Sequence, residues 1–448
     1  MEIKNLKDLL LSLSKEDTLL ELKELLDSQY SVDIATALDE IEQEDLALII
    51  SLLTPAEVAS IIEESNEELQ KRILELIDVS VAIQVFTYMS TDDIADLLGI
   101  LNTNQRKNFL KHMKERDSKE VQMLLGFDSD SAGGIMTTQY ISLRSDLTIK
   151  DAFVKIRTIG PRTEVIETIF IVSQYNELIG TADLRDVLIA PDDSILEDIT
   201  NENVLFVYPE TDQEEVSLLV SKYDLKAIPV VNKKHIILGI ITVDDIIDVI
   251  VEEQTEDLLM LSGVSKDEEV GSPVAISIKR RLPWLIVNLA TAFLASFTVG
   301  LFEDVIVQVV ALAATMPIVA GMGGNAGTQT LSIVIRSIAL GNVDIKKDWK
   351  YAFNEVALSF VNGSVTGLIT GFVLYIRYSN LFLSLIIFIA MIGNLVIAGF
   401  FGFLIPLLLK KLKLDPAVSS SIFLTTATDV GGFFIFLGLA KVFLPQLL

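Results

Sequence analysis

Hydrophobic and polar positions divide this chain into three kinds of text. From Pro283 to Phe302 no charged residue occurs over 20 positions, about 30 Å of helix and one hydrocarbon thickness. Further apolar stretches cover 305–340, 351–376, 382–409 and 417–445, so the pattern predicts five membrane helices. The stretch 305–340 is too long for one straight span, and its glycine-rich middle is expected to break or bend it. Residues 1–130 read differently, as short Leu/Ile-rich amphipathic segments with acidic faces. Thr54-Pro55-Ala56-Glu57 and Thr91-Asp92-Asp93 supply helix-start signals there. An all-helical superhelix of stacked hairpins is the expectation for this part.

Residues 131–250 contain an internal repeat. The segment from Ile169 through Gly180 to Asp186 is matched 59 residues on, from Ile228 through Gly239 to Asp245. Each copy reads as strand, turn, strand and helix, preceded by an amphipathic helix near Thr148 or Thr211. The expected organisation is therefore a helical N domain (1–130), an α/β pair (131–250), an acidic connecting helix (251–278) and a membrane domain (279–448).

Charge sharpens the division. Residues 1–278 hold 55 Asp+Glu against 23 Lys+Arg, whereas 279–448 hold 7 against 12. The overall −27 thus belongs to the first part, a field that repels nucleic acid and attracts cations. Lys279, Arg280, Arg281, Lys346, Lys347, Lys350, Lys410, Lys411 and Lys413 fall on one side of the five spans, and Arg377 and Lys441 on the other. This positive-inside bias puts the first part in the cytoplasm and the C-terminus outside, as an odd number of spans requires. The opening residues, alternating charge with leucine, do not resemble a signal peptide. With no cysteine and two distant histidines, His112 and His235, thiolate or imidazole metal sites are not expected.

Polar residues within the spans carry the chemistry, because the bilayer makes them costly. Asp429 lies mid-helix in Thr425-Thr426-Ala427-Thr428-Asp429. It either meets a cation in water or hydrogen-bonds a neighbouring helix, and no basic residue lies at similar depth. In Gly321-Met322-Gly323-Gly324-Asn325-Ala326-Gly327-Thr328-Gln329, Asn325 and Gln329 share one face, suited to lining a passage. The glycines suit either that passage or close helix packing. Arg336 is expected to snorkel to the interface. Oxygen-only ligands select hard cations, and one carboxylate with amides and hydroxyls suits an ion that stays largely hydrated. This chemistry alone does not separate magnesium from calcium, manganese or cobalt. Ahead of the first span, Asp245, Asp248 and Glu252 fall on one helical stripe and Glu253, Glu256 and Asp257 on another. They form either a solvated acidic helix or a cation sensor.

Two resemblances bear on these residues. The 131–250 repeat, with its Ile135-Met136-Thr137 lead-in, resembles a tandem pair of CBS modules. Such pairs bind adenine nucleotides, so the resemblance implies ATP, and Thr242 and Asp245 match the ribose-contact pattern. Asp183 replaces the usual hydroxyl residue in the first module. The whole chain resembles the MgtE family of magnesium channels, most specifically in Gly323-Gly324-Asn325-Ala326-Gly327-Thr328-Gln329 and Thr428-Asp429-Val430. Thr211-Asp212-Gln213-Glu214-Glu215-Val216, Lys222-Tyr223-Asp224 and the 242–257 stretch add to it.

The resemblance implies a homodimer in the cell membrane, with no enzyme activity and a pore between membrane domains. It places Asp429 as the pore carboxylate, with Asn325, Gln329, Thr428 and Thr425 around the path. It further implies regulatory Mg2+ at Glu214, Asp224, Asp245, Asp248, Glu253, Glu256 and Asp257, joined by Asp92, Asp93 and Asp96 of the N domain. High cytosolic Mg2+ would bridge these acids and close the pore. Thr328 stands where the family often has an amide. A CBS-bearing membrane sensor and a broader Co2+ or Mn2+ transporter are the rival readings. No His-Glu-x-x-His or phosphate-binding loop suggests an enzyme or a pump.

Overall fold

The computed structural model describes residues 3–15, 19–160, 163, 165–265, 268, 270–340, 349–412, 414–417 and 420–448. Of the basic residues used for orientation, Lys346, Lys347 and Lys413 lie outside the described residues. The chain divides into two compact units, Met1–Val249 and Ile250–Leu448.

The first unit opens with ten short helices, α1 (Ile3–Lys15) to α10 (Glu115–Leu124). Each is too short to be stable alone, so caps and shared apolar faces hold them. In α5 (Pro55–Glu63), Thr54 and Glu57 form a reciprocal capping box with Pro55 at the first position. α8 (Thr91–Gly99) is capped by Ser90, whose side chain accepts from the Asp93 amide.

The repeat emerges as two sheets. β1 (Ser142–Arg144) runs parallel to β2 (Thr168–Val172), which pairs antiparallel with β3 (Leu178–Asp183). After α11 (Ile149–Ile159), α12 (Leu184–Ile189) and α13 (Gln213–Tyr223), β4 (Ala227–Val231) pairs antiparallel with β5 (Ile237–Thr242). The two hairpins correspond in detail. Each register shifts at one place, Ile171/Val172 and Val230/Val231. Each turn holds one non-glycine residue in the left-handed region, Asn176 at φ 62° and His235 at φ 56°. His235 thus has a conformational role. Thr137 exchanges both backbone hydrogen bonds with Ile240, lacing the lead-in of the first module onto the second sheet. α14 (Val243–Leu261) leaves β5 directly, so the acidic connection is the continuation of the second repeat's closing helix and ends well before residue 278.

The second unit holds five helices long and apolar enough to cross a membrane. They are α15 (Val274–Gly300), α17 (Val310–Ala339), α18 (Trp349–Tyr378), α19 (Leu381–Lys411) and α20 (Ser420–Val442), with short α16 (Glu303–Gln308) and α21 (Leu444–Leu447) beside them. The chain breaks at Val309, between α16 and α17, and not in the glycine-rich middle, which is continuous helix. Within hydrocarbon each peptide group must be bonded internally, and the glycines keep that ladder while letting neighbours approach. On α18, added Cβ atoms at Gly363, Gly367 and Gly371 would come within 2.8–2.9 Å of α19 backbone atoms at Ile392, Phe388 and Ser384. This is small-residue packing of the membrane kind. The buried core runs from Phe302, Leu312 and Val319 to Leu383, Met391 and Phe436.

Candidate cation sites

Within the first unit, helix starts concentrate acids. Asp92 and Asp93 occupy the first turn of α8, where the helix dipole favours anions, and Asp96 follows one turn on. Thr91 Oγ1 lies 2.8 Å from Thr138 Oγ1 and accepts from the Thr138 amide, seating this end of α8 against the CBS lead-in. Asp245, at the start of α14, accepts from Thr242 Oγ1 at 2.5 Å, so the two ribose-pattern residues are bonded to each other. Thr242 itself is buried.

Charge accumulates here faster than partners. Burial, then Asp93 and Asp245, pushes Asp92 up to about 6. Burial, with Asp92, Asp93 and Asp245 adding to it, raises Asp96 to about 7. Burial also raises Asp93 and Asp245, in each case offset by a hydroxyl hydrogen bond. Glu63, at the end of α5, joins the group, raised to about 7 by burial and then by Asp93. Asp92 is 8% exposed and its Oδ1 has no hydrogen-bond partner, an orphaned buried acceptor that calls for a cation or water. Among the described residues, no three acids or imidazoles converge as a preformed metal centre. The donor set is oxygen-only and loosely gathered, which fits a cation that keeps part of its water shell.

None of the other expected regulatory acids is among the causes of these shifts. Glu214, in the first turn of α13, is exposed, as are Asp224 and Asp248. Asp224 has a structural task as the left-handed cap that ends α13, at φ 50°. Glu253 and Glu256 are half-buried further along α14. Asp257 belongs to the second unit, where burial, then Asp415, raises it to about 6. Beside it, Met260 and Leu261 pack against a cluster of Leu331, Ile335, Ala417 and Leu424 at the ends of α17 and α20.

In the membrane segment, polar residues separate by face. Asn325, Thr328 and Gln329 on α17 and Thr425 on α20 are exposed, and Asp429 is half-buried. Among the described residues Asp429 has no ion pair or hydrogen bond. Thr428 does not share that outward face. It is fully buried and donates to the Thr425 carbonyl, because one residue along a helix turns the side chain by about 100°. The glycines divide likewise: Gly323 and Gly327 are close-packed, whereas Gly321 and Gly324 border open space. Arg336, in the last turn of α17, is exposed.

Four further residues bear on these sites, three of them marked by their type and place in the sequence. Glu355 lies within α18 and accepts from Thr330 Oγ1 at 3.2 Å, an ionisable group inside a span. Asn394, fully buried in α19, is a polar residue within an apolar run, and the rule that singled out Asp429 applies to it. Asp415 stands between two spans. Glu63 has no local pattern to mark it.

Five spans long and apolar enough to cross a membrane, following a helical domain and an α/β pair, define a multi-pass membrane protein. The transporter region, residues 316–439, matches the family model described as "Divalent cation transporter". Residues 29–130 match "MgtE intracellular N domain", and 132–193 and 196–252 match "CBS domain". Relatives named "Magnesium transporter MgtE" include one from Bacillus subtilis (strain 168), 32% identical over 97% of this chain and 96% of the relative. Another, from Enterococcus faecalis, is 33% identical over the same shares. The chain belongs to the MgtE family. A solved structure described as "Crystal structure of the soluble part of a magnesium transporter" is similar at TM-score 0.52 and 31% identity, covering 56% of this chain and 99% of that one. A second, "Crystal structure of the cytosolic domain of the Mg2+ channel MgtE in complex with ATP", is similar at TM-score 0.51 and 29% identity, covering 53% and 99%.

Proposed function

We propose that two copies of this chain form a pathway that takes up hydrated Mg2+, and that the cytosolic acids close it when Mg2+ is plentiful. The carrying observation is the outward polar face at membrane depth: exposed Asn325, Thr328, Gln329 and Thr425, with half-buried Asp429. Amides, hydroxyls and a carboxylate turned toward lipid would be costly. A second copy enclosing a water path relieves that cost, and the relatives' names supply the ion. A cation crossing with its waters needs acceptors at second-shell distance, and these side chains present them. The N-terminus is cytoplasmic and the C-terminus external in this reading.

Closure follows from linkage. A cation that lowers the repulsion among Glu63, Asp92, Asp93, Asp96 and Asp245 stabilises whichever arrangement gathers them. The seating of Met260 and Leu261 on the ends of α17 and α20 supports a contact through which α14 holds the path shut. ATP at the CBS pair extends this reading, supported by the ATP complex of a similar cytosolic domain.

The test is Mg2+ flux into liposomes holding the purified full chain, with Co2+ and Mn2+ in parallel. Wild type is expected to pass Mg2+, and Asp429→Ala to lose at least about tenfold of that flux while eluting as the same folded species. A wild type that passes no divalent cation leaves the sensor reading standing. Undiminished flux in the variant removes Asp429 from the pathway.

A further inference from the structure

Asn394 is an amide buried within the membrane segment that the pathway above does not use. It is 0% exposed in α19. Its Nδ2 donates to the Val319 carbonyl of α17 at 2.7 Å, and its Oδ1 has no partner. The amide is wedged between two glycines on two other helices. A Cβ on Gly432 of α20 would fall 2.7 Å from Cγ, Nδ2 and Oδ1 alike, and one on Gly323 of α17 would fall within 3.0 Å of Cγ and Oδ1. Three helices therefore meet at one side chain, and nothing larger than glycine fits against it.

An unsatisfied amide oxygen in hydrocarbon is destabilising, and leucine would fill α19 at less cost. The neighbours give the position its meaning. Gly432 lies one turn beyond Asp429, and Gly323 lies two residues before Asn325. The helices that present the polar face are spaced by this amide plane.

We propose that Asn394 is a positioning and specificity-determining residue: it sets the α17–α20 separation, and through it the width of the path and the hydration of the cation that passes. The inference rests on the transport reading and deepens it. The anchor to Val319 fixes the rotation of the amide, and the two glycines fix its depth. Removing the side chain lets α17 and α20 settle closer. A narrower path demands more dehydration, which magnesium resists more strongly than calcium does.

The experiment measures Mg2+ and Ca2+ flux in the same liposome preparations, per mole of monodisperse full-length protein, with Tm recorded alongside. Asn394→Ala is expected to lower Mg2+ flux by about tenfold, the scale of a strong interhelical hydrogen bond, and to lower the Mg2+/Ca2+ ratio several-fold. Asn394→Ala with Gly432→Ala restores bulk between the helices and is expected to recover much of the ratio, though not the lost hydrogen bond. Asn394→Asp keeps the volume but sets two oxygens against the Val319 carbonyl, and is expected to lose flux without rescue. A folded Asn394→Ala protein with wild-type rate and ratio overturns the proposal. So does a variant that loses only folded protein while the ratio per folded molecule stays unchanged, since that is a purely structural role. Both outcomes leave wild-type flux, and the transport reading, intact. A wild type without flux overturns both.

Discussion

The two units hold their acids in opposite ways. Asp429 is a single carboxylate on its membrane helix, with no partner among the described residues and with hydroxyls nearby in sequence. The first unit crowds Glu63, Asp92, Asp93, Asp96 and Asp245 together, and four of these five either start or follow the start of a helix. One charge meeting a moving ion needs weak, replaceable contacts. Many charges meeting a retained ion need mutual repulsion that the ion removes. In the proposed reading, acid density, more than acid identity, separates conduction from sensing.

The comparison breaks most visibly if the crowd is thinned. Asp92→Asn with Asp245→Asn is expected to raise the Mg2+ concentration needed to stop flux by about tenfold or more, by removing two charges the ion must bridge. Proteolytic protection of the full chain against Mg2+ concentration should shift in parallel. An unchanged midpoint would mean that the crowd does not hold the ion that stops flux.

Acidity sharpens the same point. Asp92, Asp96 and Glu63 hold their protons up to about 6 to 7 in the fold, well above ordinary carboxylates. The folded state therefore binds more protons than the unfolded chain between about pH 4 and 7. Without Mg2+, stability of the first unit should rise as pH falls from 8 to 5.5, with the unfolding midpoint moving up roughly 2–4 °C per kcal/mol. With saturating Mg2+ the trend should shrink or reverse, because the ion requires the deprotonated form. Thermal unfolding at four pH values, with and without Mg2+, measures both.

The smallest effect is expected at the start of α5. Thr54→Ala removes the capping box of α5 and should cost about 1 kcal/mol of stability, yet leave the Mg2+ midpoint where it was. A shift in that midpoint would show that α5, through Glu63, is set by its cap as well as by its packing.

Much of this architecture is legible in the order of residues. Five apolar stretches become five helices because hydrocarbon permits little else. The 59-residue repeat reappears even in its register shift and left-handed turns, since both depend on local pattern. What escapes is set by distant neighbours. Glu63 enters the acidic group from a helix some thirty positions away, with no motif of its own. Thr428 turns inward where Asp429 turns half outward, a distinction of one helical step that hydropathy does not resolve. Gly321 to Gly327 suggest a break, but tertiary packing against Asn394 and Leu424 keeps them helical, and the chain interrupts itself at Val309 instead. Asp224 has the charge of a ligand, and the fold uses it to end a helix.

The glycine stripe of α18 carries a mechanical consequence. With Gly363, Gly367 and Gly371 seated on the backbone of α19, the middle of that seam is locked at close range, so the two helices are expected to move as one slab. Sliding is left to seams padded by longer, rotatable groups, and α15, whose flank is mostly uncovered within this chain, has the fewest restraints. A gate in this fold would open by moving such loose staves around a stiff pair.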